Sequence, residues 1–369
     1  MVCRLQKSLY RLKQAFRQWN IRLTKALLAV EFTQSKYDYS LFTKRVEGNI
    51  VVLLVYVDDL LIAGNDINMI RELKGFLNTT FKMKDLGDLR YFIGIEVLRF
   101  KEGIVLSQKK YAHELIEDTG LKNAKIAAAP LEQNLKLTTV DYDKDIQSED
   151  ALLENKTSYQ RLIGRLIYLT HTRPDIVFAM HYLSQFMQQP KRSHLEAAMR
   201  VVRYIKKDPG QGLLFKAGNE GKVVAFCDSD WAACPMTRRS VTGYCIMLGS
   251  SLISWKSKKQ STVAKSSAEA EYRSMAAVTA EIVWLTGLLQ EIGMQNLKPV
   301  ELCCDSKASI QIAANPVYHE RTKHIEIDCH FVREKIQDGL IQTKHVSTTN
   351  QLADIMSKAL GSQQHNNLM

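Results

Sequence analysis

The sequence predicts a multidomain chain of mixed α/β and α+β type, and three observations carry that expectation. Its 369 residues are 46% hydrophobic, enough to bury more than one core and to divide into two or three domains. Two apolar runs meet at a pair of adjacent acids, Asp58 and Asp59, as the strands of a hairpin would. From about Lys222 onward short apolar strands alternate with helical periods, the pattern of an α/β domain.

The elements follow in order. Residues 50–57 and 60–63 read as strands, because each is a short continuous apolar run. Asp66 can cap a following helix, in which Ile67, Ile70, Leu73 and Leu77 recur on one face. A short strand is expected at 91–97. The polar stretch 131–154 reads as a linker, and helices are expected from about 159 to 207. In the last of them Leu195, Met199, Val202 and Ile205 make an apolar stripe opposite Arg192, Arg200, Arg203 and Lys207, the pattern of a docked helix with a solvated basic face. The third region predicts strands at 223–227, near 253–255, at 300–304 and at 341–346. A long helix, a second helix and a last helix over 351–360 accompany them. In the long helix Glu271, Met275, Val278, Ile282, Leu285 and Leu289 keep a three-then-four spacing. That spacing places Glu271 at the N-terminal edge of a buried stripe, where a carboxylate needs a partner.

Charge points to an anionic partner. The chain holds 50 Lys+Arg against 39 Asp+Glu, a formal charge of +11, and nucleic acid is the first reading of such a balance. The distribution says more than the sum. Arg4, Lys7, Arg11, Lys13 and Arg17 are among seven basic residues between Arg4 and Lys25, interleaved with Tyr10, Phe16 and Trp19, and no acid precedes Glu31. Basic residues among aromatics can bind phosphates and stack bases. The seven cysteines form no CxxC pair and leave an odd count, which argues against a disulfide framework and for a reducing compartment. No apolar run is long enough to cross a bilayer and no signal-peptide pattern opens the chain, so an intracellular protein of cytoplasm or nucleus, without a membrane partner, is expected.

Four acids of the third region stand at predicted element ends: Asp228, Glu271, Asp305 and Asp354. Taken singly, each reads as a cap or a turn residue. Strand ends of an α/β sheet converge on one edge, however, and hydrolysis of a phosphodiester by in-line attack uses two metal ions about 4 Å apart. Hard Mg²⁺ or Mn²⁺ prefers carboxylate oxygen, and four shared carboxylates suffice for two ions.

The words around these acids are specific. Phe226-Cys227-Asp228-Ser229-Asp230-Trp231-Ala232, Ser266-Ser267-Ala268-Glu269-Ala270-Glu271-Tyr272, Cys303-Cys304-Asp305-Ser306-Lys307 and Arg321-Thr322-Lys323-His324-Ile325 resemble the ribonuclease H domain of Ty1/copia retrotransposon polyproteins. Lys7-Ser8-Leu9-Tyr10, Tyr56-Val57-Asp58-Asp59, Leu86-Gly87-Asp88-Leu89 and Thr172-Arg173-Pro174-Asp175-Ile176 are similar to the reverse transcriptase and connecting region of the same polyproteins. The resemblance implies a partial polymerase palm over 1–98, a thumb-like segment and linker over 99–150, a helical connection over 151–221 and a ribonuclease H-like mixed sheet with flanking helices over 222–369. It implies a catalytic quartet of Asp228, Glu271, Asp305 and Asp354 holding two Mg²⁺ or Mn²⁺ ions, and an RNA/DNA hybrid whose RNA strand is hydrolysed. An intact retrotransposon polyprotein is an implied partner. Glu271 is preferred to Glu269 because it heads the Tyr272 helix as the family's catalytic glutamate does, and Asp230 is a second neighbouring acid.

In the same resemblance Asp58 and Asp59 correspond to the metal-binding motif of a palm. A palm also needs an aspartate on an earlier strand, which the family places ahead of the segment where Met1 stands, so polymerase activity is expected to be lost. Arg11, Phe16, Arg165, Ala233 and Met236 depart from the family pattern, which makes an inactive nucleic-acid-binding remnant the alternative reading. Divalent-metal dependence separates the two, since binding by basic residues survives loss of the carboxylates. His319, His324, Asp328, Cys329 and His330 fit no usual zinc spacing, and His324 or His345 is the candidate for a histidine that aids product release.

Overall fold

A computed structural model describes residues 14–146, 150–218, 221–315 and 325–369. It divides into two compact units, Met1–Leu89 with Val283–Gln295, and Arg90–Ile282 with Asn296–Met369.

In the first unit helix α1 (Ala15–Ala29) precedes an antiparallel sheet of β1 (Thr33–Gln34), β2 (Leu41–Val46), β3 (Asn49–Tyr56) and β4 (Asp59–Gly64), in that spatial order, and α2 (Ile67–Phe81) follows. Alternate residues of β3, Val51, Leu53 and Val55, are buried with Leu73 and Leu77 of α2 and Leu23 and Leu27 of α1, as strand and helix periods require. Asp66 caps α2, its Oδ1 accepting from the amides of Asn68 at 2.7 Å and Met69 at 3.2 Å. Val57, expected in the strand, instead sits in the hairpin turn with φ of 56°.

The second unit opens with a sheet in the order β5 (Tyr91–Phe92), β6 (Ile95–Phe100), β7 (Gly103–Ser107) and β8 (Leu213–Lys216). The single strand expected at 91–97 is broken between β5 and β6, because Ile93 and Gly94 both take positive φ where the Tyr168 hydroxyl packs against Gly94. Helices α3 (Lys109–Asp118), α4 (Val140–Ile146), α5 (Lys156–Leu169), α6 (Val177–Ser184) and α7 (Arg192–Ile205) build one core around Leu115, Tyr159, Ile163, Leu166, Leu183 and Val201. The stretch 131–154 differs from a solvated linker. Leu131 and Leu137 are buried in that core, and Asp143 of α4 forms a buried ion pair with Lys191. Polar residues of this stretch can be buried because their charges are compensated there. The apolar stripe of α7 is also rotated from the expected one: Ala198, Val201, Val202 and Ile205 are buried, whereas Leu195 and Met199 only pack against the core.

Beyond β8 a five-stranded mixed sheet has the order β11-β10-β9-β12-β13, formed by β9 (Val223–Ser229), β10 (Val241–Leu248), β11 (Ser251–Lys259), β12 (Val300–Cys304) and β13 (Ile341–His345). The first three strands are antiparallel neighbours, and β12 runs parallel to both β9 and β13. Its helices are α8 (Ser267–Glu291), α9 (Lys307–Ala314), α10 (Glu326–Gln337), α11 (Asp354–Ser357) and α12 (Ser362–Leu368). This is the mixed sheet with flanking helices that the sequence implied. Strand β10 shows no strand period in the sequence because it is buried on both faces and lacks alternation. The helix expected over 351–360 is only the single turn α11, which ends where Lys358 turns extended, at φ −149° and ψ 158°. Among the described residues six cysteines are free and buried, and no helix is long and apolar enough to cross a membrane.

Candidate metal centre

Strand polarity assembles the site. Because β9 and β12 are parallel neighbours with Phe226 level with Cys303, Asp228 near the end of β9 and Asp305 just past β12 emerge at the same sheet edge. Glu271 reaches that edge from the second turn of α8, and Asp354 from the first residue of α11. Carboxylate oxygens of Asp228, Asp305 and Asp354 lie within 4.8 Å of one another, as do ligand atoms of Glu271, Cys304 and Asp305. All four acids of the expected quartet are therefore brought together.

Such a gathering is unfavourable without cations. Asp228 and Asp354 are 1% and 0% exposed. Burial, then the charges of Asp228, Cys304 and Asp305, push the Glu271 carboxyl up to about 10. Burial and Asp228 push Asp354 up to about 7, with Lys358 acting in the opposite direction. Glu271 Oε2 is buried with no hydrogen-bond partner, an acceptor left open toward the cluster. The neighbours supply donors. Ser357 Oγ donates to Asp228, Thr348 Oγ1 donates to Asp305 at 3.0 Å, and Gln364 Nε2 donates to Asp354 at 3.1 Å. Lys358 Nζ stands 2.9 Å from Asp354 and 3.4 Å from Asp228. None of these donors was singled out in the sequence. The spacing of Ser357 and Lys358 at three and four residues after Asp354 was the available signal, since a helical turn puts such positions side by side.

The sequence profile of the reverse transcriptase (RNA-dependent DNA polymerase) family matches residues 1–133. The chain is 42% identical, over 97% of its length, to the retrovirus-related Pol polyprotein from transposon RE1 of Arabidopsis thaliana, and 36% identical, over 98%, to that from transposon TNT 1-94 of Nicotiana tabacum. A putative transposon Ty5-1 protein of Saccharomyces cerevisiae is 30% identical over 76% of this chain and 90% of its own length. The chain belongs to the Ty1/copia retrotransposon Pol family. It spans about a quarter of the curated Pol polyproteins it matches, 24% of the RE1 protein and 27% of the TNT 1-94 protein. Among solved structures, RNase H1 of the archaeon Halobacterium salinarum aligns with 37% of this chain and 95% of its own, at 15% identity and a TM-score of 0.27. An RNase H domain from Mycobacterium tuberculosis aligns with 40% of this chain and 96% of its own, at 15% identity and a TM-score of 0.28.

The other acids of the family words serve the fold. Asp230 Oδ1 accepts the Val241 amide at 2.7 Å, and burial pushes its carboxyl up to about 7. Glu269 pairs with Arg273 at 2.7 Å and accepts the Lys265 amide at 2.7 Å. Asp58 and Asp59, expected from the sequence resemblance to match the metal-binding motif of a palm, lie exposed at the β3–β4 turn, whose Val57 carbonyl accepts the Trp19 indole N–H at 2.8 Å. Among the described residues neither joins a group of three possible metal ligands.

Of the expected nucleic-acid contacts, Arg17 is exposed on α1, while Arg4, Lys7, Arg11 and Lys13 lie outside the described residues. His319 and His324 also lie outside them. Cys329 is buried, and His345 is exposed at the end of β13, level with Cys304. Two departures from the family pattern are accommodated. Arg165 pairs with Asp118 at 2.6 Å and lies over the Tyr111 ring, and the Met236 sulfur accepts the Thr139 amide at 3.2 Å. A separate cleft of about 770 Å³, lined by Tyr244, Lys256, Arg273 and Asp328 among others, includes none of the quartet.

Proposed function

We propose that residues 222–369 hydrolyse the RNA strand of an RNA/DNA hybrid, with two Mg²⁺ or Mn²⁺ ions held among Asp228, Glu271, Asp305 and Asp354. The observation that carries this reading is the convergence of buried carboxylates within 4.8 Å, joined by the Glu271 oxygen that no donor satisfies. The four carboxylates offer oxygen donors, which suit hard divalent ions, with the Cys304 thiol beside Glu271 and Asp305. When bound, such ions lower the pKa of water and stabilise charge on the oxygens of an in-line displacement.

The chain's own residues do the rest. Asp305 stands between the two ligand groups and so is shared by them. Asp228 and Asp354 are oriented by Ser357 and Gln364, which fixes the direction of their lone pairs. Little base specificity is expected, because a hybrid is recognised through its shape and 2′-hydroxyls. Residues 1–98 are proposed to contribute nucleic-acid contacts, Arg17 among them, and not primer extension by this chain alone, since Asp58 and Asp59 have no third ligand among the described residues. An intact Pol polyprotein is the proposed partner for that activity.

The test is direct. The purified chain is incubated with a labelled RNA/DNA hybrid, with Mg²⁺, with Mn²⁺ and with a chelator. Cleavage of the RNA strand that needs the ion supports the reading. Salt-sensitive binding without cleavage at any ion concentration sinks it in favour of an inactive nucleic-acid-binding remnant.

A further inference from the structure

One cation is already present in the acid cluster. Lys358 Nζ lies 2.9 Å from Asp354 Oδ1 and 3.4 Å from Asp228 Oδ2, and these two acids belong to the group whose oxygens lie within 4.8 Å. The carboxylates it bridges are buried, at 2% and 0% side-chain exposure, whereas the Lys358 side chain is 36% exposed. The ammonium therefore reaches the cluster from the solvent side on a flexible stem. Its backbone is held separately, since the Lys358 amide donates to the Asp354 carbonyl at 3.2 Å. The side chain can leave without moving the main chain.

We propose that Lys358 is a built-in counter-ion, occupying a cation position between Asp228 and Asp354 until a divalent ion displaces it. The inference rests on the metal-centre reading and adds a positioning residue to it. Charge decides the argument. Four carboxylates balance two divalent ions, and an ammonium kept beside them would add like charge a few ångströms from at least one ion. Without ions, removing the ammonium leaves buried carboxylates uncompensated, which is strongly unfavourable. Lys358 thus holds the cluster closed in the metal-free protein and competes with the ion for the same oxygens. Once displaced, it stays tethered at the rim of the site.

The experiment compares the full chain with Lys358→Met, which keeps an unbranched stem, and with Lys358→Gln and Lys358→Arg. Two readouts apart from cleavage are taken: the metal-free melting temperature and the Mn²⁺ dissociation constant by calorimetry. The proposal expects Lys358→Met to melt several degrees lower without metal and to bind Mn²⁺ roughly tenfold or more tightly. Lys358→Gln should shift both in the same direction, and decides the matter if the methionine variant fails to fold. Lys358→Arg, retaining the charge, should stay near the parent in both. Neutral variants with unchanged melting and unchanged affinity overturn the proposal, as do neutral variants that bind the ion more weakly. Absence of saturable Mn²⁺ binding in all four proteins overturns displacement together with the metal-centre reading. A metal-free destabilisation seen in that case supports only the ion pair.

Discussion

Gly243 stands directly opposite Asp228 in the β9–β10 register, and it is the point where α11 lies against the sheet. A Cβ built on Gly243 would come within 2.8 Å of the backbone of Met356 and Ser357 and 2.9 Å of the Ala353 carbonyl. No flexible side chain is available there to yield. The missing side chain is what lets α11 approach closely enough for Asp354, Ser357 and Lys358 to reach Asp228.

Gly243→Ala should therefore push α11 off the sheet. The expected cost is that of overpacking against backbone, about 1–3 kcal/mol in urea denaturation, with weaker divalent-ion binding at temperatures where the variant is folded. Alanine at 243 with parental stability and parental ion affinity would show that α11 needs no such approach.

The parts of this architecture that were legible in the sequence share a physical cause. Val51, Leu53 and Val55 alternate because one face of β3 is buried, and the run 300–304 matched β12 because Pro299 before it and Asp305 after it bound a short, mostly buried stretch. The four candidate acids stood out because each lies at or near an element end. What stayed hidden depends on long-range packing. Strand β10 is buried on both faces and shows no period, and Leu131 and Leu137 look like parts of a polar linker until Lys191 and Asp143 neutralise one another beneath it. Lys358 reads as a surface lysine, since nothing local announces that Asp228, 130 residues earlier, will be its partner.

His194 makes stability depend on acid. Its ring is fully buried, Nδ1 accepts the Lys191 amide at 3.0 Å, and Nε2 lies 3.1 Å from the Thr138 carbonyl, to which the neutral ring can donate. Burial, then the Lys191 ammonium, lowers its pKa from 6.5 to about 4. Between those values the unfolded ring binds a proton that the folded one refuses. Stability is thus full above pH 6.5 and falls as pH drops toward 4, by roughly 3 kcal/mol at most. Urea midpoints of the parent and His194→Gln across this window provide the check, and equal slopes would exclude the histidine as the cause.

The basic face of α1 should carry part of the nucleic-acid affinity. Arg17 is exposed there. Arg17→Ala is expected to reduce the slope of log K against log salt by about 0.7 to 0.9 if it removes one phosphate contact. An unchanged slope in the folded variant would make the residue a solvated one.

The quartet itself is tested most sharply at Asp305, the acid common to both ligand groups. Asp305→Asn keeps the size and one neutral acceptor, and Thr348 Oγ1 can still donate to it as it does now at 3.0 Å. The fold should survive. What disappears is the charge that both ions would share, so cleavage of the hybrid should fall roughly 100-fold or more, the scale of losing a major electrostatic group. Hybrid binding should hold or tighten, because repulsion between the carboxylate and the scissile phosphate is relieved. The neighbouring acids make demanding controls. Asp230 holds the Val241 amide and Glu269 holds Arg273 and the Lys265 amide, so Asp230→Asn and Glu269→Gln are expected to lower stability more than they lower ion affinity. Their cleavage rates must therefore be compared well below each variant's melting temperature. If Asp305→Asn then cleaves like the parent, or if Asp230→Asn and Glu269→Gln are the pair that abolishes ion-dependent cleavage, the metal centre lies on other acids than Asp228, Glu271, Asp305 and Asp354.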